Sequence, residues 1–459
     1  MDNAMAKSIE QRNMTLRAIT WPIFIELFLQ TIMGSTDTIM LSHISDRVVA
    51  AVGVTNQLIF FTILIFSFTA TGTAVLVSQY LGAGLRVDAK NASAISISIN
   101  LVIGVIVSLL MVTFKGPLLA LFHLNSDIAE IGYEYLSIVG GTLFLQAVLI
   151  TVSSILRAHG FTREAMFVSV MMNVIHLTGN SIVIFGLLGF PVLGVKGVAI
   201  STAISRAAAL MIAFVFMYRR LPITINKADY VNLQLSQIKK ILKIGIPAAS
   251  EQISYNTSQM AMTAITAIIG AAALSTRVYT WNIMSFIMLF GLAMGQGTQI
   301  LIGYRVGAGD FDGAYRQLLK SLKASFVITI FISILVAIFR ENLMSIFTSN
   351  KEIIHTGSNL LLLCLILEPG RTFNILVVNS LRATGDAAFS VKIGVLSMWG
   401  IAVPISYFLG IHMGLGLAGV WIAFIVDEWE RGIVMYFRWK SRAWQKKVLV
   451  VHSETTTAS

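Results

Sequence analysis

The sequence predicts an all-α polytopic membrane protein: twelve transmembrane helices built as two parallel six-helix repeats, related by a pseudo-two-fold axis along the membrane normal. Three observations carry this. The first is composition: of 459 residues, 56% are hydrophobic and 12% charged, and mean hydropathy is +0.80, where soluble domains run about 25% charged. The second is a set of runs without Asp, Glu, Lys or Arg. They extend from Val48 to Leu85, from Asn91 to Phe114, from Ala165 to Val195 and from Ile393 to Val426. A bilayer-spanning helix needs about 20 apolar residues, so each run holds one span, or one and part of the next. The third is self-similarity at a fixed offset.

Apolar runs bounded by turn signals place the spans at 18–41, 49–80, 91–114, 130–156, 163–187, 197–218, 241–268, 276–304, 315–339, 353–382, 388–410 and 417–439. The first follows Lys7, Arg12 and Arg17, with no small-residue cleavage site before a short apolar core, so it reads as the insertion signal itself. Spans 2 and 8 close at Gly82-Ala83-Gly84 and Gly307-Ala308-Gly309, where glycine takes the left-handed cap conformation. Spans 6 and 7 are separated by 219–243, which holds Arg219, Arg220, Lys227, Lys239, Lys240 and Lys243 and looks like a hinge. After span 12, Trp439 and Trp444 beside Arg438, Lys440 and Arg442 read as an interfacial belt.

With the N-terminus inside, cytoplasmic segments hold 24 Lys and Arg and the opposite loops 6, which puts both termini in the cytoplasm of a plasma (inner) membrane protein. The net charge of +11 is therefore topology, and no nucleic-acid partner is expected. The expected organisation is a cytoplasmic segment 1–17, an N-lobe 18–218, a linker 219–240, a C-lobe 241–439 and a cytoplasmic tail 440–459.

Sliding the chain on itself at an offset of 225 puts Pro22 and Glu26 on Pro247 and Glu251, and Leu156-Arg157-Ala158-x-Gly160 on Leu381-Arg382-Ala383-x-Gly385. Residues 72–90 align to 297–315 with 7 identities in 19, Gly72/Gly297 and Thr73/Thr298 among them. At offset 222, Gly194-x-x-Gly197-Val198 meets Gly416-x-x-Gly419-Val420. Six spans per repeat give both halves the same orientation, and a substrate path is expected between them. The duplication removes the need for a dimer, so a monomer is expected.

Enzyme chemistry finds no support. Cys364 is the only cysteine, and no His-Glu-x-x-His, Gly-x-Ser-x-Gly or Walker pattern occurs, so no cofactor and no metal centre are expected. Gly307-Ala308-Gly309-Asp310 matches an intramembrane aspartyl protease motif only superficially, because the first copy has Leu85 in place of the acid.

A charge at the bilayer centre costs about 2.5–3.5 kcal/mol on insertion scales, so each needs a reason. Asp37, in Gly34-Ser35-Thr36-Asp37-Thr38 near the outer end of span 1, has Met262 at its repeat position. Asn180 and His176 in span 5 and Thr202 in span 6 lie at similar depth, within roughly 15 Å of the outer boundary. Together they form a candidate polar pocket. Glu26 and Glu251 each follow a proline by four residues, and Glu251 shares mid-membrane depth with Arg371, one turn from Glu368. These are candidates for substrate binding or for a self-neutralising girdle. Asp427, Glu428, Glu430 and Arg431 sit in span 12, and Glu428 is the repeat partner of Arg206, which reads as a structural pairing. Methionines (171, 172, 260, 262, 284, 288, 294) and Phe60, Phe61, Phe66 and Phe68 offer soft, aromatic walls that suit lipophilic cations.

At these residues the chain resembles the multidrug and toxic compound extrusion (MATE) family, over about residues 15–440. The resemblance rests on Pro22, Asp37-Thr38, the Gly-Ala-Gly after span 2, Leu156-Arg157-Ala158-x-Gly160, Ile184-Phe185-Gly186, and Gly194-x-x-Gly197 leading to Thr202. It implies an antiporter that exports amphipathic, often cationic, organic compounds against H⁺ or Na⁺, with Asp37 as coupling acid amid Asn180, His176 and Thr202. Asp37, Glu251, Arg371 and Glu26 are then the candidate substrate contacts. Members often carry Asn and Asp four apart in span 5 where this chain has His176 and Asn180, and some place an acid where Arg371 stands. A hard cation wants several anionic or carbonyl oxygens, so the shortage of acids favours H⁺ over Na⁺. The alternative cargo is a lipid-linked oligosaccharide, carried by flippases of the same superfamily; these often have fourteen spans and more cationic cavities.

Overall fold

The structure is a computed structural model that describes residues 14–450; the ends of the expected cytoplasmic segments, 1–13 and 451–459, lie outside the described residues. The long helices, numbered in chain order, are α1 Leu16–Ser42, α2 Asp46–Gly82, α3 Arg86–Thr113, α4 Ser126–Gly140 continued by Leu143–Ala158, α5 Thr162–Phe185 and α6 Gly194–Arg220. They continue as α7 Leu235–Ile269, α8 Ala271–Gly307, α9 Phe311–Ile338, α10 Lys351–Thr384, α11 Ala387–His412 and α12 Gly416–Lys440. No strand occurs among the described residues. Nine of these helices, or ten with the bent α4, are long and apolar enough to cross a membrane. The remaining two, α7 and α12, have 35 and 25 residues and miss that test on composition. They carry Glu251 and Gln252, and Asp427, Glu428, Glu430 and Arg431, so their polarity is concentrated where the candidate site residues lie.

The duplication is legible in the helix ends. Helices α2, α3 and the short helix Lys115–Ala120 recur at the self-alignment offset as α8, α9 and the short helix Arg340–Ser345, first and last residues alike. The third residue of each Gly-Ala-Gly, Gly84 and Gly309, has a φ of +77° and +75°. Leu85 N–H then reaches Tyr80 O, and Asp310 N–H reaches Arg305 O, each at 2.9 Å. This is the paired closure of a Schellman cap. Asp310 is a helix cap, its Oδ1 accepting from Gly313 N–H at 2.8 Å, which accounts for the acid that resembled a protease motif.

The halves differ where local chemistry differs. Helix α4 passes through a π turn at Leu136–Gly140 and bends by 46° near Gly140-Gly141, whereas its counterpart α10 has Leu365 and Ile366 there and runs unbroken. Helix α11 holds two π turns, Met398–Ala402 and Phe408–His412, on either side of Pro404, whose missing N–H removes one rung of the ladder.

By contacts the chain divides into two compact units. One comprises Ile25–Leu81 and Leu85–Ile246; the other comprises the described residues up to Phe24, Gly82–Gly84 and the described residues from Pro247. The division falls within α1 and α7, beside Pro22 and Pro247, so the opening turns of each belong to the unit built from the other repeat. In the first unit α7 crosses α2 with almost no gap: a Cβ on Gly72 would lie 2.2 Å from Ile241 O, and one on Gly245 2.2 Å from Phe68 O. In the second, a Cβ on Gly297 would meet Thr20 Oγ1 at 2.5 Å where α1 crosses α8.

The core of the first unit gathers Phe66, Tyr135, Val139 and Leu143, tied by Asn100, whose Nδ2 donates to Thr151 Oγ1 at 2.6 Å and to Phe66 O at 3.0 Å. The linker after α6 is docked, since Lys90 Nζ pairs with Asp229 at 2.8 Å and Ser98 donates to Tyr230 O at 2.7 Å. In the second unit the interfacial belt expected at Trp439 and Trp444 is instead core. Both are fully buried, with ring centroids 4.5 Å apart. The chain turns back through Arg442, at φ 57°, and Trp444 Nε1 donates to Trp439 O at 2.9 Å. Of the phenylalanines of α2, Phe66 is core while Phe60 and Phe61 are exposed.

Candidate functional site

The first unit assembles a polar site from α1, α5 and α6. On α1 the Thr36 and Thr38 hydroxyls donate back to Ile32 O and Gly34 O at 3.1 Å, leaving the Asp37 carboxylate to its neighbours. Helices α5 and α6 pack closely because Gly179 faces Ser201, whose Oγ would lie 2.3 Å from a Cβ there. That approach brings His176 and Asn180, one turn apart on α5, against Thr202 of α6. Asn180 Nδ2 donates to Asp37 Oδ1 at 3.3 Å, and His176 Nδ1 lies 3.5 Å from the same oxygen. His176 Nε2 lies 3.0 Å from Thr202 Oγ1 and 3.3 Å from Asn180 Nδ2. A neutral imidazole accepting from Asn180 at Nε2, with Nδ1 facing Asp37, fits these contacts. The structure brings these four residues next to one another.

Two further members had no flag as site residues in the sequence. Tyr135 of α4 is buried and lies in electrostatic reach of Asp37 and Arg206. Arg206, one turn beyond Thr202 on α6, lies in electrostatic reach of both Asp37 and Tyr135. Its Nη1 is sealed from solvent without a hydrogen-bond partner among the described residues, as is Asn180 Oδ1. The signal was available as helical spacing: Thr202 and Arg206 are i and i+4.

Glu26 stands elsewhere. It is eleven residues from Asp37, about 16 Å along α1. Arg157 Nη1 donates to both its oxygens, at 2.9 and 3.0 Å, and Ser169 Oγ to one at 3.2 Å. The second unit repeats this pair at the repeat-related positions, Arg382 Nη2 donating to Glu251 Oε2 at 2.8 Å. Glu251 is therefore bonded to Arg382, not to Arg371. Arg371 pairs with Glu368 at 2.6 Å and Glu428 at 3.4 Å, and Arg431 with Asp427 at 2.6 Å and Glu428 at 3.2 Å. Asn374 Nδ2 donates to Glu428 Oε2 at 2.8 Å. Glu251 and Arg371 nevertheless face one cavity of about 200 Å³, shared with Arg382, Arg431, Glu428 and Asn374. No group of three or more His, Cys, Asp or Glu placed to hold a metal occurs among the described residues.

A twelve-helix chain of two repeats with one acid-centred polar site matches known proteins over nearly its whole length. The MatE family model matches twice, at residues 22–182 and 247–408, the two matches beginning at the repeat-related prolines. The chain belongs to the MATE family of membrane transporters. It is 47% identical over 441 residues to an uncharacterized transporter, YisQ, of Bacillus subtilis (strain 168), covering 96% of this chain and 97% of that one. It is 26% identical to a probable multidrug resistance protein NorM of Thermotoga maritima, over 94% and 92% of the two chains. Its fold matches a solved MOP superfamily transporter from Pyrococcus furiosus Vc1 at a TM-score of 0.86 and 20% identity, over 94% and 96% of the chains; that structure is described as having a binding pocket of reverse polarity.

Proposed function

We propose that this transporter exports amphipathic organic cations in exchange for H⁺, with Asp37 as the coupling acid, from a multi-pass position in the plasma membrane with both termini cytoplasmic. One observation carries the reading: among the described residues, Asp37 is the single carboxylate of a network closed by Asn180, His176 and Thr202. An ionised Asp37 attracts a cation, and protonation removes that attraction and hands the oxygen a proton to donate. Drug and proton then compete for one group, and competition for one group in a protein that alternates between two faces is exchange. The neighbours are all groups that adapt to either state, since amide, imidazole and hydroxyl each donate or accept. With one carboxylate, the network offers a proton a complete site and Na⁺ a poor one.

The substrate contacts proposed in the second unit are Glu251 and Arg371, which line its cavity. Most drug-sized ligands need about 300–1,000 Å³. A cavity of about 200 Å³ suits one polar end of a cargo. Glu26 is assigned to holding Arg157, and through it α1 against α4.

The test is transport in proteoliposomes of a fluorescent organic cation under an imposed pH gradient, then under a Na⁺ gradient. The expected result is pH-driven uptake in wild type, abolished in Asp37→Asn. Na⁺-driven uptake would reverse the ion, normal transport by Asp37→Asn would sink the coupling role, and no movement under either gradient would turn the reading to a lipid flippase.

A further inference from the structure

We propose that Arg277 anchors a second binding site, in the second unit, which takes the carboxylate of an amphipathic organic compound. That the bound compound is cargo rests on the exporter reading, to which it adds an anionic group beside the cationic one. The binding itself does not rest on that reading.

Helices α7 and α8 meet at Gly270, so Gln259 before the turn and Arg277 after it come face to face. Arg277 is buried, at 7% exposure. Its Nη2 donates to Gln259 Oε1 at 3.1 Å and, over a long 3.4 Å, to Gln259 O, while its Cζ lies 5.5 Å from the centroid of the Phe424 ring. A guanidinium carries five N–H donors, and neither an amide oxygen nor a ring face balances its charge. Nη1 is buried without a hydrogen-bond partner among the described residues.

A charge within a membrane-spanning helix needs a partner or a function. Arg371, Arg382 and Arg431 of the same unit each meet a carboxylate, at 2.6, 2.8 and 2.6 Å. Arg277 has none within 4.0 Å among the described residues. The duplication gives the charge no structural reason either, because the repeat position of Arg277 is Val52, an apolar core residue. Of these arginines, Arg277 is the one whose anion the chain does not supply.

The space for that anion is a cavity of about 320 Å³ that Arg277 lines together with Tyr255, Asn256, Gln259, Trp281 and Asn282. Among the described residues lining it, Arg277 is the only charged one. Asn256, Asn282 and the Tyr255 hydroxyl bring further donors, and the rings of Tyr255 and Trp281 offer faces for an apolar body. The volume falls within the range of small-molecule sites, about 300–1,000 Å³. The planar fork of an arginine matches the two oxygens of a carboxylate, whereas a cationic group would meet a like charge and no acid. Tyr255 also lines the cavity of Glu251 and Arg371, so the two cavities share a wall and one cargo can reach both.

The test is equilibrium dialysis of radiolabelled naphthoate against the purified full-length protein in a neutral sugar detergent, with naphthylmethanol as the uncharged counterpart. Wild type should bind naphthoate saturably, and the alcohol roughly tenfold or more weakly, the order of one hydrogen bond to a charged group. Arg277→Gln should lose naphthoate affinity by the same factor, and Arg277→Lys by less, since it keeps the charge without the fork. Val278→Trp, which fills the cavity from an exposed position on its wall and leaves Arg277 in place, should lose it too. Absence of saturable binding by wild type would overturn the proposal, and so would wild-type affinity in Arg277→Gln. If the melting and gel-filtration profiles show that Arg277→Gln does not fold, Val278→Trp decides: lost affinity supports the proposal and wild-type affinity overturns it. Displacement of naphthoate by equimolar phosphate or phosphatidylglycerol would overturn the organic carboxylate in favour of a bare anion or a lipid headgroup. Failure of wild type to move an organic cation under either gradient would count against the exporter reading and leave this measurement standing.

Discussion

Glu26 shows what a single buried carboxylate does when its partner is known. Arg157 holds both its oxygens and Ser169 adds a third contact, while Arg382 repeats the arrangement on Glu251. Breaking such a pair from one side leaves an uncompensated buried charge, a loss of about 3–5 kcal/mol, whereas removing both charges together is often neutral. Arg157→Met should therefore lower the melting temperature strongly, and Glu26→Met with Arg157→Met should recover most of it; no recovery in the double variant would argue against a structural pair. The Asp37 network was legible because depth along a helix can be counted, at about 1.5 Å per residue, and four polar groups at one depth are few. The partner of Glu251 was not legible by depth, which gave Arg371, because pairing depends on which helices abut. The duplication held the answer: Pro-x-x-x-Glu and Leu-Arg-Ala are both repeated at one offset, so their side chains belong to each other. Arg206 had no such signal, since its repeat partner Glu428 gave it a structural reading.

Among the elements, α7 has the start furthest from expectation. It starts at Leu235, six residues before the expected span, because a helix need not end where a bilayer does. Its first turns carry Lys239, Lys240 and Lys243, while Gln237, Ile241 and Ile244 are buried along the same turns. Those turns cross α2 at Gly72 and Gly245, with backbone carbonyls where a methyl group would stand. The Gly72/Gly297 identity in the self-alignment thus has a steric cause in both units. Gly72→Ala should cost about 1–3 kcal/mol, the range for overpacking a filled site. Differential scanning fluorimetry would read it, with Gly53→Ala, which meets nothing within 4 Å, as the comparison. The tail after α12 eluded sequence reading because Trp beside Lys and Arg is the pattern of a membrane interface. A left-handed turn at Arg442 decides instead for a buried stack.

For the molecule as a whole, the duplication separates what the fold requires from what the site adds. Helix ends, glycine caps and the Glu–Arg pair recur, whereas Asp37, Arg206, Arg371 and Arg431 do not. The linker belongs to the same account. Asp229, outside the spans, is held below the ordinary carboxylate range, first by the hydrogen bond from Lys90 and then by the Asn226 N–H. A depressed value in the folded state means stability present above the unfolded value of about 3.9 and lost as pH falls below it. Asp229→Asn should therefore weaken the docking of 227–231 at neutral pH and flatten its loss in acid. Limited proteolysis of the linker across that range would show it, and equal cleavage of both proteins at every pH would count against the assignment.

Cys364, fully buried with its Sγ donating to Leu360 O at 3.4 Å, gives the chain a practical property. The native thiol is closed to labelling reagents, so cysteines introduced at exposed positions will carry probes with no background to remove. Spin labels on exposed residues of the two units, such as Leu121 and Ile346, would report distance changes as substrate and protons are supplied. A chain whose one thiol is sealed is already a template for watching its own transport cycle.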